Sequence, residues 1–75
     1  MIGENMLELH YFRINGLNNE SDVSKIVNTF NAIEEVESVE VDLDTGMAFI
    51  NSKISTQEIS LIIDGAGYNS ILIAE

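Results

Sequence analysis

The chain has 75 residues, of which 45% are apolar, and these values fit one small globular domain with a single core. Thirteen acidic and three basic residues give a net charge of −10, so nucleic acid and anionic membrane surfaces, which are themselves negatively charged, are disfavoured as partners. There is no cysteine, which excludes disulfides, thiolate catalysis and thiolate metal ligands.

The first half of the chain predicts a strand, a loop and a helix. Residues 6–14 (MLELHYFRI) are rich in aromatic and aliphatic types and predict the first strand. The polar stretch that follows contains Gly16 and leads into a helix, for which Asn19 is a suitable N-cap and Asp22 can reach back to free N–H groups. Apolar residues then recur at spacings of three and four, which predicts a helix that ends near Ile33. These residues are Val23, Ile26, Val27, Phe30 and Ile33.

The second half predicts a hairpin, a helix and a last strand. Residues 36–44 (VESVEVDLD) alternate apolar and acidic side chains, which is typical of a strand with one wet face. Residues 44–46 (DTG) predict a tight turn, and residues 47–51 return as the third strand. Residues 55–58 (STQE) are a capping box that begins a second helix, and residues 68–74 (YNSILIA) predict the fourth strand. The core face of this helix comprises Ile59, Ile62, Ile63 and Ala66.

The order of these elements determines the predicted fold. A β-α-β-β-α-β order is the ferredoxin-like split βαβ arrangement. Two right-handed crossovers place both helices on the same side of the sheet. We therefore predict a single α+β domain over residues 1–75, a ferredoxin-like βαββαβ sandwich with a four-stranded antiparallel sheet and two helices on one face.

The order of the apolar positions resembles the heavy-metal-associated domains of soluble copper chaperones and of the N-terminal regions of metal-transporting P-type ATPases. The resemblance covers residues 12–68. Residues 16–17 (GL) stand where the family has Gly-Met, residues 39–43 (VEVDL) match its V-x-V-x-L strand, and residues 67–68 (GY) match the end of its second helix. Further matches are Ile26, Phe30, Ile33, Val36, Ala48, Ile50, Ile59, Ile62 and Ile63. The resemblance implies the family's fold and a role in metal binding or metal transport.

The departure from the family lies at its metal-binding motif, G-M-x-C-x-x-C. The corresponding residues 16–22 read GLNNESD, so Asn19 and Asp22 occupy the two cysteine positions. Soft d¹⁰ ions such as Cu(I) prefer thiolate sulfur to carboxylate or amide oxygen, and dedicated sites for hard cations gather several oxygens. We therefore expect no metal ligand, no cofactor and no tight binding of Cu(I) or Zn(II), and we interpret Asn19 and Asp22 as a helix cap.

Tyr68 and His10 are two further residues with side chains capable of chemistry. Tyr68 matches a family position beside the metal loop, and the simpler interpretation is that its ring covers the end of the core. His10 is the only histidine, so it forms neither a transition-metal site nor a catalytic dyad, and we expect it to be partly buried or at the surface. No supported nucleophile–base pair and no glycine-rich phosphate loop is present, so we expect that the chain is not an enzyme.

Strand alternation also predicts an apolar patch on the face of the sheet that the helices leave open. If Phe12 and Ala48 face the helices, their neighbours in the first and third strands point the other way, with Ile71 or Ile73 beside them. Glu40 and Asp42 would lie at the rim of this patch. The interface candidates are Leu9, Tyr11, Met47 and Phe49. An apolar centre with an acidic rim indicates an interface, with a protein partner or in a homodimer.

One leading function and two alternatives follow. The leading one is a non-catalytic heavy-metal-associated-like domain, related to copper and heavy-metal chaperones, with a degenerate thiolate site. The first alternative is a protein-interaction or oligomerisation module that acts through the open sheet face. The second is a weak divalent-cation binder that uses the oxygens of Asn19, Asp22 and nearby acids. No apolar run reaches membrane-spanning length and no signal-peptide pattern is present, so we expect a cytoplasmic protein without membrane insertion.

Overall fold

The computed structural model describes residues 7–74, which form six elements in the predicted order. These are β1 Glu8–Asn15, α1 Glu20–Asn31, β2 Val36–Val41, β3 Met47–Ser52, α2 Thr56–Gly65 and β4 Asn69–Ala74. The strands form one antiparallel sheet in the order β2-β3-β1-β4. Neither helix in this part of the chain is long and apolar enough to cross a membrane. The predicted ferredoxin-like α+β fold is confirmed.

One cluster of buried side chains holds both helices against one face of the sheet. Alternate residues of the two central strands and one face of each helix contribute to it. The members are Phe12, Ile14, Ala48, Ile50, Ile26, Phe30, Ile59 and Ile63. Burying each larger side chain stabilises the fold by about 1.5–3 kcal/mol. The opposite face of the sheet is not covered by any element within residues 7–74.

Several boundaries differ from the sequence prediction by one or two residues, and the largest difference is at the end of β2. Met6, the predicted first residue of β1, lies outside the described residues. The sequence predicts that β2 continues to residue 44, but the strand ends at Val41 because the Gly46 N–H donates to the Asp42 carbonyl at 2.8 Å and closes the turn. Leu43, predicted to alternate with Val41, therefore lies in this turn.

His10 is buried, contrary to the expectation of a partly buried or surface position. Its side chain is 2% exposed and lies on the helix-facing side of β1, two residues before Phe12. Among residues 7–74, neither ring nitrogen has a hydrogen-bond partner. Ser52 on β3 is fully buried in the same way, and its hydroxyl has no partner within that range. The prediction for His10 was wrong because the strand alternation that buries Phe12 continues to this end of β1.

Candidate functional site

The start of α1 is organised by Asn19 and Asp22, the two residues that the sequence resemblance places at the family's cysteine positions. Asn19 is the N-cap, with an extended backbone (φ −159°, ψ 178°), and its side-chain oxygen accepts a hydrogen bond from the Asp22 N–H at 3.1 Å. The Asp22 carboxylate reaches back and accepts from the Asn18 N–H at 2.8 Å. These bonds satisfy N–H groups that a helix start leaves free. The predicted helix cap is confirmed.

Asp22 has a second partner from the far end of the chain. The Tyr68 hydroxyl donates to the other carboxylate oxygen at 2.6 Å. Tyr68 is held in place by a Schellman ending of α2, in which its N–H donates to the Ile63 carbonyl and the Gly67 N–H donates to the Asp64 carbonyl, at 3.2 and 3.0 Å. Gly67 has the positive φ, +100°, that this ending requires. Gly67 and Tyr68 therefore have a structural role: they end α2 and place the phenol within hydrogen-bond distance of Asp22.

The ring of Tyr68 packs against the backbone of the loop that precedes α1. Gly16 has a φ of +102°, and a Cβ there would lie 3.3 Å from the Tyr68 ring, so glycine permits the close approach of the loop backbone. Leu17 and Tyr68 both pack against the core cluster. Lys25 places its Nζ 5.6 Å from the ring centroid, within the range of a cation–π contact. Tyr68 thus covers the end of the core, as expected, and also binds the loop.

The contact changes the acidity of both partners. The pKa of Asp22 lies below its ordinary value, chiefly because the Tyr68 hydroxyl donates to the carboxylate and also because the Asn18 N–H does. The positive charge of Lys25 acts in the same direction. The pKa of Tyr68 is raised, first because ionisation would remove its hydrogen bond to Asp22. The contact is therefore made by an ionised Asp22 and a protonated Tyr68.

We expect Tyr68→Phe to lower the melting temperature only in the pH range in which this contact exists. The pKa of Asp22 is lower in the folded state than in the unfolded chain. The stabilisation that its ionised form gives the fold is therefore complete above about pH 4 and is lost as the pH falls through the pKa of the folded state. Because the native pKa of Tyr68 is raised, its contribution is complete below about pH 10 and is lost as the pH rises through the native pKa.

Thermal denaturation of both proteins in acid, at neutral pH and in alkali measures this difference. Tyr11→Phe removes a hydroxyl from the open face of the sheet and leaves the Tyr68–Asp22 contact in place, so it is the matched control. A loss on Tyr68→Phe that is the same at all three pH values would contradict a role for the ionised pair.

The loop offers few free ligands for a metal ion. Both Asp22 carboxylate oxygens and the Asn19 amide oxygen already accept hydrogen bonds. Within the described range, no three His, Asp or Glu side chains are grouped so that they could hold a metal ion. Ca²⁺ takes about six to eight oxygen ligands. Asn19 and Asp22 therefore cap the start of α1, and Asp22 also connects this start to the end of α2 through Tyr68.

The second candidate region is the open face of the sheet, where the interface candidates are neighbours. Tyr11 and Phe49 stand opposite each other on β1 and β3, with ring centroids 5.1 Å apart and planes at 77°. Leu9 is 43% exposed, and Met47 is half-buried. A shallow groove on this face is lined by Leu9, Tyr11, Ser38, Glu40, Phe49 and Asn51.

The rim of this groove is not uniformly acidic. Glu40 stands opposite Phe49 on β2, the edge strand, as the sequence predicts. Arg13 stands opposite Met47 on one side and Ile71 on the other, at the end of the sheet nearer the loop. The apolar centre therefore lies between one acidic flank and a single basic residue, which the sequence analysis did not foresee.

The Tyr68–Asp22 hydrogen bond is also new relative to the sequence analysis. The two residues are 46 positions apart, so no local pattern connects them. The available signal was indirect, because both residues lie at positions that match the family around its metal loop. The contact of Lys25 with the Tyr68 ring could not be predicted from the sequence, since Lys25 is one of several polar residues on the exposed face of α1.

The fold is similar to that of several solved structures, although no protein-family model and no curated protein matches the sequence. The copper(I)-loaded first domain of the human copper chaperone for SOD1 superposes with a TM-score of 0.85 at 22% identity, over 92% of this chain and 96% of that one. The copper(I)-loaded N-terminal domain of a potential copper-translocating P-type ATPase from Bacillus subtilis gives 0.84 at 22%, over 92% and 90%. Oxidized MerP from Ralstonia metallidurans CH34 gives 0.81 at 20%, over 89% and 97%.

These values confirm the resemblance in fold that the sequence predicts. Identities of 20–22% establish the fold alone. The chain has no cysteine anywhere, so the C-x-x-C motif is absent. The loop before α1, where the sequence resemblance places that motif, is capped and hydrogen-bonded by Asn19 and Asp22.

Proposed function

We propose that this chain is a non-catalytic, heavy-metal-associated-like domain of the cytoplasm that has lost tight binding of Cu(I) and Zn(II). The observation that carries the proposal is the engagement of Asp22. At the second cysteine position, its carboxylate accepts hydrogen bonds from the Tyr68 hydroxyl and the Asn18 N–H. The loop has kept the task of starting α1 and lost the soft ligands.

Competition between the cap and a metal supports this proposal. A metal bound by Asn19 and Asp22 would displace hydrogen bonds to three oxygens that now satisfy the loop and the helix start. No thiolate is present to compensate, and amide and carboxylate oxygens are poor ligands for soft ions. The same competition weakens the oxygen-ligand alternative, because a hard cation also needs those oxygens.

A Cu(I) competition titration tests the proposal directly. The wild-type chain, under reducing conditions and in excess over a chromophoric Cu(I) chelator, should leave the copper–chelator absorbance unchanged. Stoichiometric and tight uptake would overturn the proposal. A parallel NMR titration with Zn²⁺ should give shifts spread over many acidic residues, and shifts confined to residues 16–23 would favour the oxygen-ligand alternative instead.

As a second function, we propose that the open face of the sheet binds a protein partner with an apolar centre and a basic rim. The observation that favours it is the Tyr11–Phe49 pair, which lies in an uncovered groove beside Glu40. The net charge of −10 would steer a basic partner towards the domain. Such binding should weaken as salt is added, because the rim charges are screened.

A synthetic amphipathic peptide of leucine and lysine can serve as the probe of this surface. We expect NMR shifts centred on Tyr11 and Phe49, with binding reduced at high salt and by Phe49→Glu. Asn28→Glu adds the same charge on the exposed side of α1 and should leave binding unchanged. Shifts that follow every acidic residue, or equal loss in both variants, would rule out a specific sheet-face site.

A further inference from the structure

We propose that the free edge of β4 is a self-association surface, at which two copies of this chain pair β4 against β4, antiparallel, to form one continuous sheet. The inference goes beyond the proposed functions, since it uses neither the loop around Asp22 nor the groove beside Phe49. It rests on the difference between the two edges of the sheet, on the apolar side chains around β4 and on the distribution of charge.

The two edge strands differ in how they are protected. β2 carries Glu37 and Glu40, and its register with β3 shifts between Val36 and Ser38. The pairing of β4 with β1 also shifts, between Tyr11 and Phe12, so charge is the feature that distinguishes the two edges, and charges discourage the addition of another strand. β4, with the sequence NSILIA, has neither a charged residue nor a proline. Among residues 7–74, no strand pairs with its outer side, so its outward N–H and C=O groups are available to another chain.

Exposed apolar side chains surround this edge on both faces of the sheet. Ile71 and Ile73 are 53% and 50% exposed, and Leu72 is 39% exposed. Leu72 pairs with Phe12 and so lies on the helix side, while its neighbour Ile71 lies on the open face. Leu61 of α2 is 68% exposed and borders the same groove as Leu72. The apolar surface thus continues around β4 from one face to the other.

The charge distribution favours a second copy of this chain as the partner that binds the free edge of β4. With a net charge of −10, most contacts between copies bring acidic side chains together. β4 is an exception, because a two-fold axis through this strand places an uncharged segment against itself. The same axis places both α2 helices on one side of the joined sheet, with Leu61 of each copy directed towards the partner's edge. A basic partner would find no opposite charge on this strand.

The size of the surface predicts a weak dimer with a characteristic salt dependence. A standard interface buries about 800 Å² per partner, more than one six-residue strand edge and a few side chains provide. Association should therefore depend on protein concentration. Repulsion between the two acidic copies is screened by salt, so dimerisation should increase with NaCl. Binding of a basic partner to the open sheet face should instead decrease with NaCl, so the salt dependence distinguishes the two proposals.

Sedimentation velocity of the full chain tests the proposal over a range of protein concentrations, at about 50 mM and about 500 mM NaCl. The average mass should rise with concentration, and more steeply at high salt. Ile73→Lys places like charges near each other across the two-fold axis and should weaken association at least about tenfold. Ser38→Lys makes the same charge change on the opposite edge strand and should not weaken it.

NMR dilution of the wild type gives an independent measurement that requires no variant. Concentration-dependent shifts and slowed amide exchange should centre on residues 69–74. A monomer at every concentration and salt level would overturn the proposal, as would equal effects of the two lysine variants or shifts centred on Tyr11 and Phe49. If circular dichroism shows that Ile73→Lys is unfolded, the wild-type NMR map decides alone.

Discussion

The double variant Asn19→Cys, Asp22→Cys should take up about one Cu(I) per chain from a chelator that the wild type leaves loaded. The two positions lie on the first turn of α1, so close that the Asp22 N–H donates to the Asn19 side chain at 3.1 Å. Two thiolates there would project from the same turn. A helix N-terminus also lowers the pKa of a thiol, which favours the ligating thiolate. The surrounding fold superposes on copper(I)-loaded domains with TM-scores of 0.85 and 0.84.

A serine pair provides the matched control. Asn19→Ser, Asp22→Ser keeps a hydroxyl that can cap the helix, removes the Tyr68–Asp22 contact as the cysteine pair does, and supplies no sulfur. It should take up no copper. If the cysteine pair folds but binds no better than the serine pair, the absence of thiolates alone does not account for the absence of tight Cu(I) binding that we propose.

The cysteine pair should also connect metal binding to stability. Without metal, it lacks the hydrogen bonds that Asp22 accepts from Tyr68 and Asn18 and should melt below the wild type. Cu(I) binds the folded state, so it should raise the melting temperature of the cysteine pair and leave that of the wild type unchanged. This thermal shift is a second readout of the same exchange between a cap and a metal site.

His10→Leu should raise the free energy of unfolding by about 1–3 kcal/mol. The imidazole is 2% exposed, and within residues 7–74 both ring nitrogens lack a hydrogen-bond partner. Their desolvation is therefore not compensated by any residue of this range, and leucine would replace them with apolar contacts in the same core. A domain of this length has a total stability of roughly 4–11 kcal/mol, so the gain is a substantial fraction. Urea denaturation with an unchanged slope is the measurement.

Ser52→Ala is the companion variant and Ser38→Ala is the control. Ser52 is fully buried, its hydroxyl has no partner among the described residues, and its replacement should add about 1 kcal/mol. Ser38 is exposed on β2, and its replacement should change stability little. A decrease in stability on His10→Leu would mean that the imidazole is hydrogen-bonded in solution, for example through an ordered water.

Local sequence patterns were sufficient to predict the elements and both helix starts, because these depend on neighbours a few residues apart. The N-caps formed by Asn19 and Ser55 each bond an N–H three residues later, and both were readable as local patterns. Alternation along the strands identified the core face and the open face. The alternation was misleading for Leu43, which lies in the turn although the alternating pattern continues to it. His10 is buried despite being polar, because it lies on the same side of β1 as Phe12.

The side chains that the loop and the sheet surfaces present depend on contacts between elements that are distant in the sequence. Tyr68 reaches Asp22 because α2 ends in a Schellman motif beside the loop, and that contact spans 46 residues. Tyr11 meets Phe49 through the register of β1 and β3, and β4 is left as an uncharged edge by the strand order. Local propensities act over a turn of helix or a pair of strand residues. Distant side chains meet only when the core fixes the positions of whole elements, so the hydrogen bond from Tyr68 to the capping residue Asp22 became visible only in the folded domain.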